Sequence, residues 1–297
     1  MQFYKDFGNV TASLNGRVTR PRVAVVWPHD EHTCEAIATA LDTLNVSFVL
    51  LGDPTKMDFS AGEKVKIIAT PDADAAAAKA VAMAREGSAD VIMKGLINTD
   101  NLLRAILNKE NGILPAGHIL THITATEIPG RERLLLFSDA AVIPYPNEAQ
   151  HEAITAYLVN ICHRIGIEEP RIALIHCTEK ISPKFPVTES YTAIKERAAA
   201  GVFGRAIVDG PMDLKTAVDP ESGRLKGINS PIDGNADALV FPDIEAGNVF
   251  YKTISWLTHS NNGGMLAGAA VPVVLPSRSD SSRSKLCSLA LACAVAQ

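Results

Sequence analysis

The sequence predicts an α/β fold with a mostly parallel sheet and two lobes. Short runs of β-branched residues alternate with alanine-rich helical stretches along almost the whole chain. This alternation is typical of strand–helix–strand units, in which the helix carries the chain back so that the next strand runs parallel to the last. At 297 residues the chain exceeds one typical domain, so we expect it to divide into two lobes.

The composition narrows the class of protein. With 47% hydrophobic and 21% charged residues it is that of a globular protein, and a net charge of −5 argues against a nucleic-acid partner. The N-terminal segment lacks the apolar core of a secretory signal, and the longest apolar stretch, near residues 286–296, is too short to span a membrane. Five scattered cysteines in mostly apolar surroundings predict reduced thiols and a cytoplasmic protein.

Ligands of α/β folds bind at the carboxyl ends of the strands, so the residues that follow each predicted strand are the candidate site residues. The predicted strands are Arg22–Trp27, Ser47–Leu51, Val65–Ala69, Asp90–Met93, His118–Thr124, Leu134–Ser138, Ile172–Cys177, Ala206–Val208, Ala238–Phe241 and Val271–Leu275. The predicted helices are Glu31–Leu44, Asp72–Glu86, Asp100–Lys109, Asn147–Ile165, Glu189–Ala200, Ala246–His259 and Ser281–Ala296.

After the first strand, the segment His29 to His32 combines two histidines with two acids. These residue types can bind a metal ion, but Asp30 and Glu31 are also typical of a helix N-terminus, and no third cluster of ligands follows. Similarly, His118 and His122 on a strand would lie about 13 Å apart at about 3.3 Å per residue, too far apart for one metal. We therefore expect no metal site.

The fourth strand ends in Lys94 and Gly95, and Thr99 or Asp100 can cap the helix that carries Arg104. A helix N-terminus flanked by two cations can hold a polyanion. The alternative is an ordinary strand–helix turn with an exposed lysine and arginine.

Later strand exits carry further polar residues. His176 and Cys177 are adjacent, so on a strand they point to opposite faces, and we expect Cys177 to lie in the core. The segment Val208 to Asp213 places an acid before Gly-Pro, which either lets the backbone approach a ligand or makes a turn. The segment Ala238 to Lys252 carries polar residues on a strand exit and the next helix, where an acid that caps the helix is the simpler explanation.

The last strand, turn and helix, Val271 to Val295, form the most informative stretch. Between the apolar strand and the apolar helix the chain reads SRSDSSRSK. The first N–H groups of a helix lack partners and its dipole is positive there, so this turn can bind an anion. Ser277 adds a hydroxyl, and Arg278 adds a fork of donors that matches phosphate. Asp280 either caps the helix or accepts a proton; the alternative is an ordinary capped helix with solvated charges.

Taken together and in order, several segments closely resemble the phosphate acetyl/butyryl transferases, and most of all their butyryl branch. The segments are KGLINT, FSDAAVIPYPNEAQ, PRIALIHCTEK, VDGPMDLKTAV, NADALVFPDIEAGNVFYK and VPVVLPSRSDSSRSKL. The resemblance runs from about Asp90 to the C-terminus. It implies a two-lobed fold of the isocitrate/isopropylmalate dehydrogenase type, with mostly parallel sheets and an inter-lobe cleft. One lobe would comprise residues 1–137 and 277–297, and the other residues 138–276.

The family reaction is reversible: acyl-CoA and phosphate give acyl phosphate and CoA. By resemblance, Ser277 and Arg278 correspond to a Ser-Arg pair at the reacting phosphate and carbonyl oxygen, and Arg104 to a second arginine near the phosphate. Thr178 and Glu179 correspond to a strand exit that faces it from the other lobe. The resemblance implies acyl-CoA, CoA, phosphate and acyl phosphate as partners, no metal or redox cofactor, and a homodimer or higher homo-oligomer.

Where the acetyl branch carries an aspartate, this chain has Ser284, so we expect Asp280 to take or orient the thiol proton of CoA. The predicted catalytic residues are therefore Ser277, Arg278 and Asp280. The predicted substrate-binding residues are Lys94, Gly95, Thr99, Arg104, His122, Thr178, Glu179, Asp209, Gly210, Pro211, Asp243, Gly247, Asn248 and Lys252.

Two other functions stay open from the sequence. One is a non-catalytic paralogue that binds CoA or acyl phosphate, although Arg278, Asp280 and Lys94 are all retained. The other is a metal-dependent dehydrogenase on the same fold, which needs clustered acids and a nicotinamide site that the sequence lacks.

Overall fold

The structure is a computed structural model that describes residues 4–276 and 280–296. Within these residues the strands β1 to β11 are Arg22–Val26, Ser47–Gly52, Val65–Ala69, Val91–Lys94, Thr121–Thr126, Leu135–Ser138, Arg171–Ile175, Ile207–Met212, Ala238–Val240, Asn262–Ala267 and Val273–Val274. The helices α1 to α10 are Phe7–Asn15, Glu31–Thr43, Ala73–Arg85, Thr99–Ile106, Glu148–Arg164, Val187–Ala199, Leu214–Val218, Pro220–Lys226, Ile244–Leu257 and Ser282–Val295. A short 3₁₀ helix spans Pro54–Lys56.

The described chain forms two compact units. Unit A comprises residues 6–120 and 261–276 together with 280–296, and unit B comprises residues 4–5 and 121–260. The chain thus passes from unit A to unit B before Thr121 and returns to unit A after Ser260. The sequence analysis put these boundaries at Ser138 and Ser277. The reason is strand pairing: β5 pairs with β6 inside unit B, and β10 pairs with β11 inside unit A.

The sheet of unit A has the strand order β3-β2-β1-β4-β11-β10. All neighbours in this row run parallel except β10, which is antiparallel to β11. Four residues of β1 and five of β2 are buried without alternation. Continuous burial of this kind is typical of parallel strands covered by helices on both faces.

Residues 7–15, for which the sequence analysis predicted no element, form α1 and pack against α10. Phe7, Val10 and Leu14 are buried on one face of α1. The guanidinium of Arg17 donates hydrogen bonds of 3.0 and 2.6 Å to the carbonyls of Cys293 and Ala294. It therefore caps the C-terminal end of α10, where the last carbonyls of a helix lack partners.

The sheet of unit B has the strand order β5-β6-β9-β7-β8. The strands β6, β9, β7 and β8 run parallel, and β5 is antiparallel to β6. Aromatic rings on β6 and α9 make edge contacts, with the ring centroids of Phe137 and Phe250 5.1 Å apart. The predicted α/β fold with mostly parallel strands is confirmed.

Several predicted elements differ from the structure. The strand predicted from His118 begins at Thr121, and the strand predicted to end at Val208 continues to Met212. Strand β8 lies at the edge of its sheet, where a proline such as Pro211 is tolerated because one side of the strand has no partner strand. The glycine-rich segment of β10, and the short helices α7 and α8, were not predicted. Among the described residues, no helix is long and apolar enough to cross a membrane.

Candidate active site

In unit A, three parallel strands bring their carboxyl ends to one edge of the sheet. Lys94 of β4 lies opposite Val26 of β1, and Val274 of β11 lies opposite Met93 of β4. Neighbouring strands are about 4.8 Å apart. The end of β4 and the segment that leaves β11 toward Asp280 and α10 therefore start side by side.

Gly95 follows β4 at a point where the backbone passes close to β1. A Cβ atom on Gly95 would lie 2.5 Å from the carbonyl oxygen of Trp27 and 2.7 Å from that of Val26. The Gly95 N–H donates a 2.9 Å hydrogen bond to the Val26 carbonyl. Backbone packing against β1 is therefore enough to require glycine at this position. A contact of Gly95 with substrate stays a prediction.

Helix α4 begins at Thr99, and its N-cap residue is Asn98, so neither Thr99 nor Asp100 is the cap as predicted. Within the described chain, Asn98 makes no side-chain capping hydrogen bond. The first N–H groups of α4 therefore keep their capacity to bind an anion. Arg104 is exposed in the last turn of the helix, about 7.5 Å along the axis from Thr99 at about 1.5 Å per residue.

The start of α10 is capped by Ser281 and not by Asp280. The Ser281 hydroxyl accepts a 3.1 Å hydrogen bond from the Ser284 backbone N–H, and Ser282 donates a 2.9 Å hydrogen bond to Glu35. Of the two roles that the sequence left open for Asp280, capping is thus taken by its neighbour. The predicted catalytic residues Ser277 and Arg278 lie outside the described residues.

A buried lysine near this site was missed by the sequence analysis. Lys285 lies in the first turn of α10 and is only 3% exposed. It shares a face of the helix with Leu289, which is also buried, and this position on an apolar stripe was the available signal. A buried ammonium group is unfavourable unless a counter-charge or polar group accompanies it.

In unit B, Asp139 organises the turn that follows β6. Its carboxylate accepts hydrogen bonds of 2.8, 3.0 and 3.1 Å from the backbone N–H groups of Ala141, Val142 and Ile143. The Thr121 hydroxyl donates a further 2.8 Å bond to the same carboxylate. The sequence analysis treated this turn only as a boundary and did not assign Asp139 a role.

Helix α9 begins against the same turn. Asp243 caps the helix by accepting a 2.8 Å hydrogen bond from the Ala246 N–H. A Cβ atom on Gly247 would lie 2.0 Å from the Asp139 carbonyl oxygen, and the Asn248 amide donates a 3.0 Å bond to the Ala140 carbonyl. These predicted substrate-binding residues therefore fix α9 to the turn after β6.

Lys252, the last predicted binding residue of α9, is exposed farther along the helix. Its ammonium group lies 5.0 Å from the centroid of the Tyr251 ring, which is a cation–π distance. This contact leaves the outer face of the ammonium group accessible.

The exit of β7 holds the predicted residues Thr178 and Glu179. The Thr178 hydroxyl accepts a 3.2 Å bond from the Lys180 N–H, and Glu179 forms a 2.7 Å ion pair with Lys226. Hydrogen bonds to Asp213 and Glu179 raise the pKa of Lys226. Glu179 thus already has a cationic partner within unit B.

Cys177 is exposed, and the expectation that it lies in the core is wrong. Strand β7 ends at Ile175, so the alternation of side chains on a strand no longer applies at Cys177. Its sulfur lies 3.7 Å from His176 Nδ1, which also accepts a 3.3 Å bond from the Thr178 N–H. Burial lowers the pKa of His176.

Asp209, Gly210 and Pro211 lie inside β8 and not in a turn after it. The buried carboxylate of Asp209 accepts a 2.5 Å hydrogen bond from the Ser230 hydroxyl and forms an ion pair with Lys195. Gly210 has a φ of 150°, and a Cβ atom there would lie 2.5 Å from the Leu174 carbonyl oxygen. These contacts are structural, so substrate contacts of this segment stay predictions.

His122 lies near the start of β5, which is at the same edge of the sheet as the end of β6 because the two strands are antiparallel. Its Nδ1 atom is 3.4 Å from the Thr124 hydroxyl. The histidine is half-buried, so one side of its ring remains accessible.

The acids and histidines after β1 make structural contacts. Asp30 caps α2 by accepting a 2.9 Å hydrogen bond from the Thr33 N–H, and His29 Nε2 accepts a 3.0 Å bond from the Asp53 N–H. Within residues 4–276 and 280–296, no group of three histidine, cysteine or acidic side chains is arranged to hold a metal ion.

Known proteins are similar to this chain over nearly its whole length. The family model described as "Phosphate acetyl/butaryl transferase" matches residues 55–293. Over 98% of both chains, the sequence is 36% identical to the phosphate butyryltransferase of Clostridium acetobutylicum. It is 34% identical to the phosphate acetyltransferase of Rhizobium meliloti, over 93% of this chain and 89% of that protein. A branched-chain phosphotransacylase structure from Enterococcus faecalis V583 aligns with a TM-score of 0.83 at 30% identity, covering 93% of this chain and 98% of that one.

Proposed function

Since this chain belongs to the phosphate acetyl/butyryl transferase family, we propose that it moves a short-chain acyl group between coenzyme A and inorganic phosphate. In one direction a phosphate oxygen attacks the thioester carbonyl, the C–S bond breaks, and acyl phosphate and CoA are released. In the other direction the CoA thiolate attacks the acyl phosphate and the C–O bond to phosphate breaks. Relatives of both the butyryl and the acetyl type match this chain, so the acyl group is of one of these types.

The observation that supports this function most directly is the parallel pairing of β4 and β11 in unit A. It places the end of β4, at Lys94, beside the end of β11, from which the chain leads toward Asp280. Strand β4 leads into α4, whose N-cap Asn98 makes no side-chain capping hydrogen bond within the described chain. Phosphate and the phosphate groups of CoA are polyanions, which an ammonium group and a helix N-terminus stabilise. Fixed donors of this kind also stabilise the charge that develops on the carbonyl oxygen during transfer.

Asp280 is the proposed proton acceptor for the CoA thiol. It lies just before α10 and is only partly buried, and Ser281, not Asp280, caps the helix. A carboxylate beside the thiol takes its proton as the thiolate attacks, and returns a proton when CoA leaves in the opposite direction. The roles of Ser277 and Arg278 stay predictions from the family resemblance.

Other parts of the proposal rest on the family alone. We expect turnover without a metal or redox cofactor, in a cytoplasmic protein that forms a homodimer or higher homo-oligomer. The cysteines among the described residues are free thiols, which agrees with a reducing compartment.

Phosphate-dependent release of free CoA thiol from acyl-CoA tests the function directly. The assay uses the purified chain with a chelator and compares acetyl-, propionyl-, butyryl- and branched-chain acyl-CoA. Release that requires phosphate would support the transferase, and the profile of rates would identify the acyl group. CoA binding without release for every acyl group would instead favour a non-catalytic paralogue, and release only with added magnesium or manganese would favour a metal-dependent enzyme.

A further inference from the structure

Unit B contains a pocket at the end of its sheet opposite to the candidate site residues. The pocket has a volume of about 690 Å³ and is lined by Leu135, the first residue of β6, and by Gly234 and Asn235, which precede β9. Apart from Asp209, Gly210 and Pro211 within β8, the predicted substrate-binding residues of unit B instead follow the carboxyl ends of β7 and β9 or lie beside the end of β6. A volume of this size is in the range of small-molecule sites, roughly 300–1,000 Å³.

One wall of the pocket is apolar. Its side chains come from α7 and α9 and from the segment around β6, and they are Ile128, Leu135, Leu214, Val218, Phe250 and Ile254. Such a wall accommodates an aliphatic group, because it removes apolar surface of the ligand from water.

The remaining wall is strongly basic. Lys5, Arg131 and Arg133 line it, and Glu132 is the only acidic side chain among the described lining residues. Arg133 forms a 2.8 Å ion pair with Asp237, which lies behind this wall and is only 1% exposed.

The charges around Asp237 do not balance. The guanidinium groups of Arg131, Arg133 and Arg171 all lie close enough to stabilise the charged form of its single carboxylate. Burial nevertheless raises the pKa of Asp237. Unit B therefore carries an excess of positive charge at the pocket, and an anion would compensate it.

Arg131 supplies a hydrogen-bond donor that the described chain does not use. One terminal nitrogen of its guanidinium donates to the Ala236 carbonyl, but its Nε atom is buried and has no acceptor among the described residues. Burial, and then the nearby charge of Arg133, lower the pKa of Arg131. A buried donor without an acceptor is unfavourable. The part of the guanidinium that lines the pocket can donate to an oxyanion there.

We propose that this pocket binds a small amphipathic oxyanion, with a carboxylate or phosphate head group on Arg131 and Arg133 and an aliphatic group against α7 and α9. This site is separate from the proposed transferase site, and its ligand binds without reacting. The two kinds of head group share the same planar, bidentate recognition by guanidinium, so the experiment must distinguish them.

Isothermal titration calorimetry with four probes of one chain length tests the proposal: hexanoate, hexyl phosphate, hexylamine and hexanol. The titrations are run without and then with saturating CoA, which occupies the transferase site. We expect hexanoate or hexyl phosphate to bind, the tighter of the two identifying the head group. Hexanol and hexylamine should bind about tenfold more weakly or worse, because a charge-assisted hydrogen bond is lost.

Two variants from different walls probe the contacts. Arg131→Gln should weaken binding of the anionic probe about tenfold or more. Val218→Trp should fill the space for the aliphatic part of the probe, and it tests the proposal even if Arg131→Gln fails to fold. Arg205→Gln is the matched control, because it makes the same change at an exposed arginine of unit B that does not line the pocket, and it should leave binding intact.

Three outcomes would overturn the proposal: equal binding of hexanol, loss of binding when CoA is added, or binding unchanged in both wall variants. Because binding is measured directly, the result does not depend on turnover. A chain that binds the anion but releases no CoA would contradict only the proposed transferase function.

Discussion

The Ser281 hydroxyl accepts a 3.1 Å hydrogen bond from the backbone N–H of Ser284, and this bond closes the start of α10 one residue after Asp280. The helix therefore does not need the Asp280 carboxylate as its cap. A sequence in which serine and aspartate are adjacent cannot decide which of them caps the helix, since both are good N-cap residues. The hydrogen bond assigns the cap to Ser281.

Replacing Asp280 with asparagine should lower turnover about 10²- to 10⁴-fold, because an amide cannot accept the thiol proton. The N-cap contribution to the free energy of unfolding should be retained, because Ser281 supplies it. The rate of phosphate-dependent CoA release and a urea unfolding curve measure the two quantities.

The control for this prediction is Ser281→Ala, which should show the reverse pattern. Loss of an N-cap costs about 1 kcal/mol of stability, so its unfolding midpoint should fall while the proton acceptor remains in place. Unchanged turnover of Asp280→Asn would remove Asp280 from the mechanism.

Replacing Lys94 with methionine should weaken substrate binding. The change keeps the length of the side chain but removes the charge at the end of β4, where the proposed anion site begins. Loss of a charge-assisted contact of about 1.5–3 kcal/mol corresponds to an increase in KM of about 10- to 100-fold. Steady-state kinetics with varied acyl-CoA and varied phosphate would show which substrate Lys94 contacts.

Lys79→Met provides the comparison for Lys94, since Lys79 is an exposed residue of α3 away from the carboxyl ends of the strands. If both lysine variants keep the parent KM values, Lys94 does not belong to the site.

Replacing Gly247 with alanine should destabilise unit B by about 1–3 kcal/mol, the usual effect of overpacking. The added methyl group would lie 2.0 Å from the Asp139 carbonyl oxygen, so α9 must move away from the turn after β6. A shift of the urea midpoint to lower concentration measures this effect.

Gly223→Ala is the matched control, because it makes the same change in helix α8. There the new Cβ atom would have its nearest neighbour at 3.8 Å, which is an ordinary contact. Alanine is favoured over glycine inside a helix by about 0.8–1 kcal/mol, so this variant should be at least as stable as the parent. Equal effects of the two changes would contradict the close approach of Gly247 to Asp139.

The buried His151 should make stability depend on pH. Its Nε2 donates a 3.2 Å hydrogen bond to the Phe241 carbonyl, and burial lowers its pKa in the folded chain. Below the unfolded pKa of about 6.5, the unfolded chain binds a proton that the folded chain does not. The free energy of unfolding should therefore fall with decreasing pH from about 6.5 until the folded pKa is reached, by at most about 1.4 kcal/mol per pH unit.

His151→Gln keeps a donor for the Phe241 carbonyl but cannot titrate. Between pH 8 and 5.5 its free energy of unfolding should therefore fall less than that of the parent, by up to about 1.4 kcal/mol. Urea unfolding at these two values measures the difference. His32→Gln, at an exposed position of α2, controls for the removal of a histidine in general. Identical pH slopes in the parent and in His151→Gln would show that His151 does not contribute.

The alternation of β-branched and alanine-rich runs determined the order of most strands and helices, because each buried strand of a parallel sheet needs a continuous apolar run. The pattern failed where local sequence carries little signal. The segment NGGMLA was missed as β10 because glycine is unfavourable in a strand, and its pairing with β11 depends on tertiary contacts. Asp209 was predicted to lie beyond its strand, beside a ligand or in a turn, yet it lies inside β8, where it contacts Ser230 and Lys195.

The sequence by itself also located the segments of the candidate site, since polar residues after apolar strands can be read along the chain. Only the tertiary structure decided which of these segments start side by side and which carboxylates are already occupied. The ion pair between Arg133 and Asp237 joins residues 104 positions apart. Residues this far apart in the sequence come together only when the whole unit packs, and every element contributes to that packing. The charge imbalance at the proposed pocket therefore exists only in the folded chain.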